Sequence, residues 1–129
     1  MPQNFSSFKY KNFLLTPFCT LIIIFAGLAN FDKVLQTYHL AKRQLGEILS
    51  SCEMMDRLSI DVSINSLGLK NPLTSREDGH DFYMIIETSG SHLAHDEEKL
   101  TSFVESAIND DIIEDGTLTN ETTKLHVCN

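Results

Sequence analysis

Across Phe82 to Leu100, in the run FYMIIETSGSHLAHDEEKL, the spacing of apolar residues changes from every second position to every third or fourth. Phe82, Met84, Ile86 and Thr88 alternate with Tyr83, Ile85, Glu87 and Ser89, which is the pattern of a strand with two distinct faces. After the ETSGS turn, Leu100, Phe103, Val104, Ala107 and Ile108 fall on one side of a helix running from Asp96 to Asn109. Asp96, Glu97 and Glu98 crowd its positive N-terminal end. A strand that turns directly into an amphipathic helix must bury one against the other, so this half of the chain is committed to a sheet with helices on a face.

The first half follows the same pattern. Phe31, Val34, Leu35, Tyr38, Ala41 and Leu45 make a helical stripe, with Asn30 as N-cap, Asp32 in the first turn, Lys42 and Arg43 in the last, and Gly46 closing it. Ile48 to Met54 reads as a strand. Leu58, Ile60, Val62 and Ile64 alternate as a half-buried strand would, but Ile60, Ile64 and Leu67 also hold helical spacing, and the helix is the reading adopted here. Residues 68–81 carry two glycines, a proline and charges without apolar period, which predicts a loop. Ile112 and Ile113 are expected to form a short last strand before an Asp115-Gly116 turn. The order is βαββαβ with an extra helix and loop between the second and third strands: an α+β, ferredoxin-like unit with its helices on one face of an antiparallel sheet.

With 129 residues and 42% hydrophobic content, the chain suits one domain. The formal net charge is -8, and the whole acidic excess lies after Asn30, since only Lys9 and Lys11 are charged before it; this excludes nucleic acid as a natural partner. Cys19, Cys52 and Cys128 form no CxxC pair, which argues against a disulfide framework or a zinc site and for a reducing compartment. Phe13 to Ala29, FLLTPFCTLIIIFAGLA, has two readings on its residues alone. An uncharged run behind two lysines suits a signal peptide or short anchor. Pro17 and the β-branched stretch from Leu21 to Phe25 suit a buried strand.

Little in the chain carries chemistry by spacing. His92, His95 and Asp96 could share a helical turn as metal ligands, but no further ligand stands at a definite spacing, and capping of the helix is the simpler role. Thr88-Ser89-Gly90-Ser91 has the strand-to-helix setting of a nucleophile elbow without the leading glycine, so its hydroxyls are expected to satisfy the helix start. No GxGxxG or P-loop cradle occurs. Glu53 and Glu87 stand out as acids within apolar strands; the plain reading is an exposed acid on a solvated sheet face. Asn4-Phe5-Ser6 and Asn120-Glu121-Thr122 are glycosylation sequons, relevant only in the secretory pathway.

ETSGS, HDEEKL and the run LGEILSSCEMMD (Leu45 to Asp56) together resemble the C-terminal cap domain of the FAD-linked oxidases, over roughly Gly27 to Lys124. The resemblance implies an apolar strand ending at Gly27-Leu28-Ala29, and an open sheet face turned toward flavin and substrate; the alternative to the plain reading is that one or both of Glu53 and Glu87 point from that face into the cavity. It implies a parent enzyme in which FAD takes a hydride from a D-2-hydroxy acid, 2-hydroxyglutarate or a relative such as lactate or glycolate, to give the 2-keto acid. It also implies a mitochondrial setting and, in the family, a divalent metal. The family's metal histidines, including a His-x-x-Gly-Asp-Gly-Asn run, and the arginine, threonine and lysine that hold the substrate carboxylates lie in segments this chain does not contain, and Lys124 matches none of them. Residues 1–20 are then an unmatched leader, 21–124 part of the cap and 125–129 a truncated tail. No residue is assigned a catalytic, cofactor or metal role, and the chain alone is expected to be inactive. The rival is an acidic, non-enzymatic domain behind a signal or anchor.

Overall fold

The computed structural model describes residues 18–73 and 79–124. The first sequon, Lys9, Lys11, Cys128 and the tail 125–129 lie outside the described residues. Strand β1 (Phe18–Leu28) is followed by helix α1 (Phe31–Leu45), β2 (Leu49–Asp56), α2 (Arg57–Leu67), β3 (Phe82–Gly90), α3 (Leu93–Asn109) and β4 (Asp115–Lys124). The four strands lie in the order β2-β3-β1-β4, every neighbouring pair antiparallel. This is the expected α+β, ferredoxin-like arrangement, with α2 and its loop as the insertion between β2 and β3.

Local chemistry sets the helix ends. The Asn30 side chain accepts the Lys33 N–H at 3.0 Å to start α1. Asp56 does the same for Ser59 at 2.7 Å, so α2 begins directly where β2 stops. At its other end Gly68 takes φ +65, and its N–H closes on the Ile64 carbonyl. The contested stretch from Leu58 to Asn65 is therefore helix, as expected. Of the two readings of the N-terminal apolar run, residues 18–28 take the strand, held between β3 and β4 at the centre of the sheet. No helix among the described residues is long and apolar enough to cross a membrane.

Alternation along β1 and β3 sends two sets of side chains to two faces. Ile22, Ile24, Ala26 and Leu28 of β1 join Met84 and Ile86 of β3 on one face, beneath Val34, Leu40, Ala41 and Leu45 of α1 and Leu100, Phe103 and Ala107 of α3. Phe103 and Ile86 are both fully buried in this core. Thr88 also points inward, and its hydroxyl donates to the Ile22 carbonyl at 3.2 Å.

Four expectations need correction. Ile112 and Ile113 are not the last strand: their N–H groups return to the Ala107 carbonyl at 2.8 and 3.2 Å, so they finish α3, and Ile113 plugs the core. The last strand is Asp115–Lys124, and Asp115-Gly116 starts it instead of turning after it. Helix α3 begins at Leu93, not Asp96, and its side-chain cap is the His92 imidazole, which accepts the His95 N–H at 3.2 Å. The Thr88 hydroxyl is therefore used within the sheet, not at the helix start. Asp96 stays in the first turn of the helix, as expected, but is buried there.

Candidate functional site

The second face of the sheet is built by the other parity of the same strands. Register places Leu21 opposite Ser89, Ile23 opposite Glu87, Phe25 opposite Ile85 and Gly27 opposite Tyr83. On the outer strands it adds Ser51 beside Glu87, Glu53 beside Ile85 and Met55 beside Tyr83, with Thr117 and Thr119 across from Phe25 and Ile23. Neither α1 nor α3 covers this face among the described residues.

One end of it is closed. Phe25 and Tyr83 stack with centroids 5.4 Å apart, and Ile60, Ile64, Met55 and Leu73 pack against them, so α2 and the start of its loop cover that end. A polar knot fixes the cover. The Tyr83 hydroxyl accepts from Asn71 Nδ2 at 3.2 Å and from the His80 N–H at 3.0 Å. Arg57 Nε donates to the His80 carbonyl at 3.1 Å, and its other nitrogen meets Asp81 at 3.3 Å. His80 Nδ1 lies 2.5 Å from Glu114 Oε2 in the lead-in to β4. The imidazole lies over Gly27, where any Cβ would collide with the ring, and its Nε2 is buried without a hydrogen-bond partner. Sequence reasoning missed this knot; His80 and Glu114 stand far apart in the chain, and only the sheet brings them together.

The other end stays open and holds the two acids singled out from sequence. Glu53 and Glu87 sit on adjacent strands, one register step apart on the same face. Glu53 is exposed, whereas Glu87, on central β3, is half-buried. His92 and His95 lie elsewhere, at the start of α3. Among the described residues no group of three or more His, Cys, Asp or Glu side chains could hold a metal. The open end therefore offers an apolar floor (Leu21, Ile23, Ile85), hydroxyls (Ser51, Thr117, Thr119) and the carboxylates of Glu53 and Glu87, with Glu121 at the β4 position across from Leu21 and no lysine or arginine on the described strands of this face.

Such a surface can pack against an apolar ring system, but it repels phosphates and carboxylates. FAD carries a pyrophosphate, and the donors that cradle one, a glycine-rich helix start or a basic side chain, are not found on this face. The described residues of this face thus do not fit the whole dinucleotide.

Residues 22–127 match the family model described as FAD linked oxidases, C-terminal domain. The mitochondrial D-2-hydroxyglutarate dehydrogenase of Danio rerio is 38% identical over 103 residues, covering 80% of this chain and 19% of its own length. A D-2-hydroxyglutarate–pyruvate transhydrogenase of Saccharomyces cerevisiae is 43% identical over 99 residues, 76% of this chain and 19% of its own. A putative mitochondrial D-lactate dehydrogenase of Schizosaccharomyces pombe is 37% identical over 105 residues, 81% of this chain and 19% of its own. The chain belongs to the C-terminal domain family of the FAD linked oxidases. It spans about a fifth of the length of these relatives.

Proposed function

We propose that this chain supplies part of the cap of an FAD-dependent, mitochondrial D-2-hydroxy acid dehydrogenase whose substrate is D-2-hydroxyglutarate or a close relative. The observation that carries the reading is the match itself, which runs from residue 22 to residue 127 and so spans most of the sheet and both core helices. In such an enzyme the flavin supplies the redox chemistry by accepting a hydride from the substrate carbon. The part assigned to this chain is to shape and close the cavity. The apolar floor of the open face excludes water, and the knot around His80 and Tyr83 fixes where the cavity ends.

Glu53 and Glu87 are proposed to face that cavity. As acids they would repel a dicarboxylate, so their role is toward positive groups, orienting basic side chains that hold the substrate. The chain by itself would then neither retain FAD nor turn substrate over.

The test is a chimera in which residues 22–124 replace the corresponding segment of the zebrafish enzyme, assayed by dye reduction with D-2-hydroxyglutarate and with D-lactate. Activity with the former above the latter supports the reading. A chimera that folds and holds FAD yet oxidises neither contradicts it. Activity with D-lactate alone moves the substrate to the shorter acid.

A further inference from the structure

The open end of the second sheet face is also the end at which the chain enters the sheet. Strand β1 begins at Phe18, whose register partner is Lys124, and Thr20 stands opposite Gly90, whereas the end covered by α2 lies at Gly27 and Tyr83. Residues 1–17 therefore join β1 beside the floor of Leu21, Ile23 and Ile85, all three half-buried. The family match begins only at residue 22, so this leader lies outside what the chain shares with the family.

The leader and the face are complementary in composition. Before Phe18 the large apolar residues are Phe5, Phe8, Tyr10, Phe13, Leu14 and Leu15, and the charged side chains are Lys9 and Lys11 alone. The face pairs its apolar floor with Glu53 and Glu87, has Glu121 at the register position across from Leu21, and carries no lysine or arginine on its described strands. Glu87 weighs most, because it is half-buried on central β3 and no side chain among the described residues forms an ion pair with it. A half-buried acid without a partner gains from any cation brought beside it.

We propose that residues 5–15 turn back over the open end of this face, with Lys9 or Lys11 against Glu87 and the leader's aromatic side chains on the floor. Reach permits it. Glu87 lies opposite Ile23, five residues into β1 and about 17 Å along the strand from Phe18. Lys11 stands seven residues before Phe18, a span of up to about 24 Å. Tethering decides the occupant: a segment joined to the edge of the face meets it at an effective concentration on the order of millimolar, which a separate partner of like chemistry has to exceed. Opposite charge draws the two together and fixes where the leader sits. The docking does not rest on the cap reading. One consequence does: the leader occupies the surface assigned to the cavity, so it keeps the isolated cap closed until a flavin domain displaces it.

Carbodiimide cross-linking of the full chain, made as an equal mixture of isotope-labelled and unlabelled copies and read by peptide mass spectrometry, tests the docking without any flavin. Lys9 or Lys11 should be joined to Glu87 in pairs of a single isotope. The yield should fall severalfold in Phe8→Ser/Phe13→Ser, which keeps every cross-linking group and alters no described residue, with circular dichroism confirming the fold. A soluble gadolinium chelate gives a second reading: it should broaden the methyl NMR signals of Ile23 and Ile85 severalfold more in that variant than in the wild type, while Ile86 in the core stays protected in both. The proposal is overturned if neither lysine links to Glu87, if the link is indifferent to the two serines, or if Ile23 and Ile85 are broadened equally in both chains. Links that pair the two isotopes also overturn it, because they give the face to a second copy.

Discussion

The carboxylate of Asp96, nearly fully buried in α3, rests against the backbone of Gly90 at the end of β3. A Cβ at residue 90 would run into it, and one carboxylate oxygen, Oδ2, has no hydrogen-bond partner. The glycine of the ETSGS turn and the aspartate of HDEEKL are thus one device: the absence of a side chain on the strand makes space for the acid on the helix.

Gly90→Ala should therefore destabilise the fold by about 1–3 kcal/mol through overpacking. Asp96→Ala in the same chain should recover part of that loss, so that the two changes are not additive in a urea-denaturation cycle. Additive losses would mean that the two sites do not touch.

Phe103→Ala removes the largest side chain that α3 places in the core, against a sheet that includes Ile86, and should cost about 3–5 kcal/mol. Chemical denaturation measures it. A loss below about 1 kcal/mol would place the ring outside a fixed core.

The start of α2 should depend on acid pH. The Asp56 carboxyl is held below the usual carboxylate range, chiefly by its hydrogen bonds to Ser59. A depressed folded-state pKa means that the cap contributes above the unfolded carboxylate value of about 3.9 and is lost as pH falls through the folded value. An NMR titration should show the Ser59 amide moving with the Asp56 carboxyl in that acid window. In Asp56→Asn the amide should no longer follow pH.

Burial pushes the Cys52 thiol up from its ordinary range. Alkylation of the Cys52 peptide, followed by mass spectrometry, should be slower in the folded chain than in urea at neutral pH, and the gap should persist into mild alkali. Equal rates would show that the thiol is not shielded by the sheet.

Much of the fold was legible because apolar spacing reports burial. The stripes of α1 and α3, the alternation of β3 and the caps at Asn30 and Gly46 follow from local rules that the core then obeys. Strand β4 was not legible, for a physical reason. Its residues DGTLTNETTK are mostly polar, and an edge strand is held by backbone pairing to β1, which leaves no apolar signature. Ile112 and Ile113 carried that signature in its place but serve to seal the end of α3. Parity along β3 put Glu87 on the face of Tyr83 and Ile85, but that Glu53 shares this face depends on the pairing of β2 with β3. The knot of His80, Tyr83, Gly27 and Glu114 could not be foreseen, since it depends on which strands become neighbours.

The most direct test of the central claim, that this chain is a cap component and not a flavin-holding enzyme in itself, is a titration of the purified chain with FAD. Flavin fluorescence and absorbance would be followed, with dye reduction then measured on added D-2-hydroxyglutarate. The account predicts no saturable binding and no turnover, because the open face has neither a phosphate cradle nor a lysine or arginine to hold carboxylates among its described residues. Saturable, stoichiometric flavin binding, or turnover abolished by Glu87→Gln, would contradict it.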